Sequence, residues 1–421
     1  MTRKTLVIAT IVLLFPTFAF SQTGSINNTL ATGGSFTIKD GSTTFLSLSQ
    51  SDGTLSLNKM LNLPSSTDST LGVIYKGSVR FIHDFQGTGT TGNNTFMGLN
   101  AGNFTMGGAS YEASHNTAMG YSSLSSLTTG SLNSAFGDRA LLSNADGTNN
   151  AAFGQGALYT NTSGSANAAF GNSSLGLSTS GNQNSAFGYQ ALQRNTTGSY
   201  NSAFGTGSLA YNTTSGNNSA FGDQALLNST GSTNSGFGNG AGSSITSGSN
   251  NTCIGNNAQV PSATSDNQVR IGDSNVSYAG VEVSWTVTSD RRLKSNIVDS
   301  RLGLEFISML RPVSYVRKND KKKRTEFGFI AQEVEQVLKQ TGVRNPGMLT
   351  IDDDGMYQLR YNDLLAPMVR SIQELRSENE QLKHELAALR ASIAEQVRQE
   401  VQNAIADAPR NGIATTNTSG R

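Results

Sequence analysis

Ser289 and Lys294 stand five residues apart in the stretch TSDRRLKSNI, residues 288–297. A serine hydroxyl is a weak nucleophile until a base takes its proton, and no histidine lies between residues 116 and 383, so a lysine is the base this neighbourhood offers. Lysine works as a base only when desolvation or nearby cations bring it toward neutrality, at a cost on the order of 4 kcal/mol that assembled structure must supply. Arg291 and Arg292 are placed to add cationic pressure. A separation of five sets two side chains roughly 140° apart on a helix and on opposite faces of a strand, so the pair must meet in a turn or across protomers. The chemistry such a pair offers is nucleophilic attack by a serine with a lysine as its base. In the competing reading Ser289-Asp290 caps a short helix and Lys294 is a solvated side chain.

These residues sit where the chain changes character. Residues 23–288 hold 18 charged side chains in 266 positions, whereas residues 289–421 hold 39 in 133, which implies two materials joined end to end. Net charge is +1, so it argues for no nucleic-acid or other charged partner. The basic run Lys321-Lys322-Lys323-Arg324 reads as a solvated loop between strands rather than a nucleic-acid patch. Arg3 and Lys4 precede an apolar run at residues 6–14 and a small-residue site at Ala19-Phe20-Ser21, the pattern of an export signal. Nothing later approaches eighteen consecutive apolar residues, so no membrane span is expected in the mature chain. The single cysteine, Cys253, cannot build a disulfide framework, and packing or oligomerisation must stabilise the exported protein.

Self-similarity dominates the long uncharged part. NTAMG, NSAFG, NAAFG and their relatives end at Gly120, Gly137, Gly154, Gly171, Gly188, Gly205, Gly222, Gly238 and Gly255, in steps of 17 residues with one of 16, and NTFMG at Gly98 is a degenerate first copy. Each copy reads as two short strands (around Ala135-Phe136 and Ala140-Leu141) and a turn. Stacked copies are expected to bury a column of phenylalanines, Phe136 to Phe237, beside a leucine column. Cys253 fills the small-residue slot of Ala135 and reads as a buried structural thiol. The repeats resemble the heads of trimeric autotransporter adhesins and the shafts of phage tail fibres. Scattered acids such as Glu112, Asp138, Asp146 and Asp223, with His115, form no recurring acid/base set or metal cluster; a polysaccharide-degrading spike is the minor reading. Upstream, SFTIKDGSTTFLSLS and GVIYKGSVRFIHDF alternate like hairpins.

After the junction the pattern turns α+β. Residues 313–316 alternate as a strand, residues 332–338 have helical periodicity, and Asp354-Gly355 between MLTI and YQLRY marks a hairpin. Asp352-Asp353-Asp354-Gly355 lacks the spacing of a calcium loop and reads as a turn. From Met368 a heptad pattern places Met368, Leu375, Leu382 and Leu389 at d and Ile372, Asn379, Leu386 and Ile393 at a, then shifts to Val397, Val401 and Ile405.

The pieces SDRRLKSNI, LRPVSYV, FGFIAQEV and YQLRYNDLLAPMVRSIQEL resemble, over residues 289–390, the intramolecular chaperone domain of phage endosialidases and other tail fibres. That resemblance implies a domain that trimerises, guides folding of the shaft and is released by a Ser/Lys dyad, here Ser289 as nucleophile and Lys294 as general base, with the scissile bond beside Ser289, among Thr288, Ser289 and Asp290. The expected organisation is a signal peptide (1–21), an N-terminal β region (22–93), a trimeric β-roll or β-solenoid shaft (94–260), a junction (261–288), the α+β chaperone and peptidase domain (289–366), a coiled coil (367–408) and a disordered tail (409–421). The expected protein is an exported homotrimeric fibre or adhesin at the bacterial surface or secreted, a single-turnover serine endopeptidase on itself, with no cofactor or metal. Its receptor is not readable. The principal alternative is a fibre that trimerises and never cuts.

Overall fold

The computed structural model describes residues 35–40, 43–49, 54–58, 60–344 and 347–407; the expected export signal and C-terminal tail lie outside them. The chain forms two compact units, Met1–Pro64 and Ser65–Arg421. In the first, β1 (Ser35–Asp40), β2 (Thr43–Ser49) and β3 (Leu55–Leu57) make the antiparallel sheet that the alternating sequence predicts.

The second unit begins with a hairpin of β4 (Ile74–Lys76) and β5 (Val79–His83). Its strand β5 lies antiparallel on β6 (Thr95–Met97). From there strands β7 to β16, three residues each and opening at Thr117, Ser134, Ala151, Ala168, Ser185, Ser202, Ser219, Ser235, Thr252 and Val269, stack in parallel and in sequence order. Equivalent residues face each other from rung to rung, Phe136 on Phe153 and Phe170 on Phe187. This is a β-solenoid with one coil per repeat, closed at its N-terminal end by the hairpin.

Two details differ from the expectation. Each coil has one strand rather than two: the Ala140-Leu141 position belongs to a turn in which the leucine takes a left-handed backbone (Leu141 φ 51°, Leu192 φ 52°). That conformation costs about 1–2 kcal/mol per residue, and full burial of a leucine side chain returns about as much. The phenylalanines are not the core. Strand residues alternate, so with Ala135 and its equivalents completely buried, Phe136 must point out. The rings form a half-exposed outer ladder, 4.7 Å apart and within 7° of parallel from Phe136 to Phe204, reaching 42% exposure at Phe237.

Inside, alanine and leucine share the space with a column of fully buried asparagines that the sequence reading did not foresee. From Asn116 to Asn201 the asparagine opening each motif donates its backbone N–H and its amide to the preceding asparagine and spans the coil to a corner carbonyl. Asn184, for example, reaches Asn167 Oδ1 at 3.0 and 3.1 Å and the Gly198 carbonyl at 2.9 Å. A buried amide without partners is costly, so the repeated asparagine closes every coil at one register. The motif glycines stack where a side chain cannot fit: a Cβ on Gly188, whose φ is 139°, would lie 2.6 Å from the Gly205 carbonyl oxygen. Cys253 is fully buried in its alanine slot, and burial pushes its thiol up to about 11.

The α+β part follows: α1 (Leu304–Met309), the antiparallel pair β17 (Val313–Val316) and β18 (Thr325–Gly328), α2 (Ala331–Gln340), the hairpin of β19 (Leu349–Ile351) and β20 (Tyr357–Leu359), and α3 (Leu365–Asp407). Phe306, Leu310, Val334, Leu338, Met348 and Leu364 form its small core. The basic run is the expected loop between β17 and β18, organised by Asp320, whose carboxyl the Arg324 guanidinium and the amides of Arg324 and Lys322 pull down to about 2. The β19–β20 turn clips onto the last coil, with Asp353 N–H to the Pro261 carbonyl at 2.8 Å and Ala263 N–H to Asp353 Oδ2 at 2.7 Å. At 43 residues α3 is about 65 Å long. Its Leu375, Leu382, Leu386, Leu389 and Ile393 stand exposed in one stripe, the form of a coiled-coil strand. Among the described residues no helix is long and apolar enough to cross a membrane.

Candidate self-cleavage site

The stretch 288–297 is a turn. Asp290 caps a one-turn 3₁₀ helix, Arg291–Leu293, accepting the Arg292 N–H at 2.8 Å, and the chain leaves extended at Lys294. A single tight turn is what a separation of five requires: it folds the chain back so that Lys294 Nζ donates to Ser289 Oγ at 2.6 Å. The structure therefore brings the two sequence-identified residues into hydrogen-bond contact within one chain. It also contains the cap of the competing reading, because capping by Asp290 is what makes the turn.

Arg292 does not serve as expected. Its guanidinium closes a fork on Asp290, with Nη2 at 2.7 Å and Nε at 3.1 Å from Oδ2, and this pairing holds the Asp290 carboxyl below the usual range. Of the two expected cations Arg292 is thus paired with the cap, whereas Arg291 makes no ion pair among the described residues, and exclusion of water remains the larger requirement for a free amine at Lys294. In one chain that exclusion is absent: Ser289, Arg291, Arg292 and Lys294 are all exposed. Thr288, the remaining residue beside the expected scissile bond, is exposed as well.

Downstream of the turn, α1 is connected to α3 through a contact between residues seventy apart in sequence. Glu374 Oε2 accepts the Leu304 N–H at 2.7 Å and so caps α1, whose own N-cap residue is Gly303. Arg370 steadies the same carboxylate at 2.7 Å, and these partners, the Leu304 amide foremost, hold the Glu374 carboxyl below the ordinary glutamate range. Sequence reasoning missed Glu374 because it occupies an ordinary charged position on a long helix; nothing local signals a partner at Leu304.

Residues 289–343, from Ser289 through α2, match the model of a peptidase family described as chaperone of endosialidase. No curated protein and no solved structure matches the chain. The matched stretch is the N-terminal half of the region whose motifs carry the resemblance. With a solenoid of about 17-residue coils before it and a long exposed-stripe helix behind it, the segment that matches the chaperone-of-endosialidase model fits the architecture of a tail fibre.

Proposed function

We propose that the protein is an exported homotrimeric fibre whose C-terminal domain assembles the three chains, guides folding of the shaft and then releases itself by cleavage beside Ser289. The observation that carries the reading is the 2.6 Å contact between Lys294 Nζ and Ser289 Oγ at the first residue of the family match. In the reaction, Lys294 as free amine takes the hydroxyl proton while Ser289 Oγ attacks the adjacent carbonyl carbon. The C–N bond breaks, the leaving amine takes up the proton, and water resolves the ester. Full exposure of the pair in a single chain supports a timing device, in which assembly supplies the desolvation and cleavage follows it.

Two unfilled surfaces support the trimer: the apolar stripe of α3, with Leu382 62% exposed, and the phenylalanine ladder along the shaft. The chaperone-of-endosialidase match favours three copies over two. The charged e and g positions Glu378, Lys383, Glu385 and Arg390 are available for exchange between helices; within the chain Lys383 pairs with Glu380 and Glu385 accepts from Gln381. A permanently attached fibre is the second reading, favoured by the cap geometry at Asp290.

The test is intact-mass measurement of the denatured full chain beside its Ser289→Ala variant. The expected result is a parent split next to residue 289 and a variant that stays whole. If both remain whole as stable trimers, the self-release reading is wrong and the domain is a permanent clamp.

A further inference from the structure

Residues 281–287, VEVSWTV, alternate apolar and polar with β-branched or aromatic residues at every second place, the pattern of a half-buried strand. In the structure they form none. From residue 278 to 288 the backbone makes no hydrogen bond to any described residue, and Val281, Val283, Trp285 and Val287 all stand in water, Trp285 at 75% exposure. The chain is tied down on either side of this stretch. Arg324 Nη2 donates to the Ser277 carbonyl just upstream at 3.2 Å, and the chain is held again further on, where Glu374 on α3 accepts the Leu304 N–H. A strand pattern exposed along its length and unpaired in its own chain lacks its partner strand.

The partner is argued from position. The stretch lies between the solenoid and α3, and the apolar stripe of α3 has no cover within the chain. Copies gathered along α3 bring these stretches together at raised effective concentration, since Glu374 on that helix holds the same chain at Leu304, a short tether beyond Val287. An exposed extended backbone with one apolar face is a template for strand addition. We infer that residues 281–287 form an intermolecular β-strand against a second copy of this chain, with Val281, Val283, Trp285 and Val287 turned into the assembly, and that this strand removes the adjoining Ser289 and Lys294 from water. The inference rests on the trimer reading above and adds the element that couples assembly to cleavage.

Trp285 is the one tryptophan in the chain, so its fluorescence reports this strand alone. The experiment uses the full chain carrying Ser289→Ala, with light scattering for mass, iodide quenching of Trp285, and hydrogen exchange at residues 281–287. The expected result is a trimer in which quenching is several-fold weaker than in urea and the amides are protected, both reverting in a Leu382→Asp variant that cannot assemble. A trimer whose Trp285 quenches as in urea overturns the strand and leaves the trimer standing. Absence of any trimer overturns both. Protection that persists in the monomer also overturns the inference, because the stretch then docks on its own chain. In the cleaving parent, Val283→Asp is expected to slow release roughly a hundredfold with the trimer retained; an unchanged rate removes the link to cleavage.

Discussion

The shaft and the region around residues 278–304 meet water in opposite ways. In the shaft each coil hands its buried polar groups to the next: asparagine to asparagine, strand to strand, corner to corner. The region beyond it leaves a strand pattern unpaired and an apolar helix stripe uncovered. One part completes its core along its own chain, whereas the other presents apolar surface that nothing among the described residues covers.

The contrast is most exposed to failure in α3. Leu382→Asp places a charge in the helix seam and is expected to cost more than about 4 kcal/mol of assembly, leaving a monomer by light scattering. Survival of the trimer would mean that the phenylalanine ladder of the shaft holds the copies together without α3. A second effect lies at the opposite end of the solenoid. His83 is buried between Phe96 and Phe104, its Nε2 on the Ala101 carbonyl at 2.9 Å and its Nδ1 accepting the Phe85 N–H, so the neutral ring is fully used. Burial lowers it to about 4 from the ordinary 6.5. The unfolded chain therefore takes up a proton near pH 6.5 that the folded cap refuses until about pH 4. Stability present above pH 6.5 is lost progressively between those values, by roughly 3 kcal/mol. Thermal melting across that window should show the loss, and His83→Gln should flatten it.

The smallest effect is a gain. A second asparagine column runs through the corners, with Asn161 donating to Asn144 Oδ1 at 2.7 Å and Asn212 to Asn195 Oδ1 at 3.0 Å, but Ser178 and Ser229 interrupt it. Asn161 Oδ1 and Asn212 Oδ1, immediately before the two serines, are buried without a protein partner, as is Ser178 Oγ. Ser178→Asn restores the donor and is expected to stabilise the shaft by about 1 kcal/mol in denaturant melts. A loss instead would show that the corner is too tight for the longer side chain.

The other orphaned amide among the described residues, Asn218 Nδ2, opens the coil in which the repeat shortens to 16 residues, from Gly222 to Gly238. Removing one residue shifts the corner carbonyl that its neighbours reach. A single irregularity in spacing is thus visible both in the sequence and in the bonds that Asn218 Nδ2 does not make.

Much of the architecture was written along the chain. A period of 17 determines one coil per repeat, the heptads determine a long helix with one apolar stripe, and Asp354-Gly355 determines the β19–β20 hairpin, because each is a local pattern with one regular solution. Ser289 and Lys294 were legible as a pair, and their spacing already required a turn. Which residues the shaft buries was decided only in three dimensions. Phenylalanine is the more hydrophobic residue, yet a coil this narrow closes around alanine, leucine and asparagine, and strict alternation along a three-residue strand sends the large ring outward. The commitment of Arg292 to Asp290 and the reach of Glu374 to Leu304 were likewise settled by tertiary structure, since the partner of an exposed charge depends on which backbone the fold brings beside it.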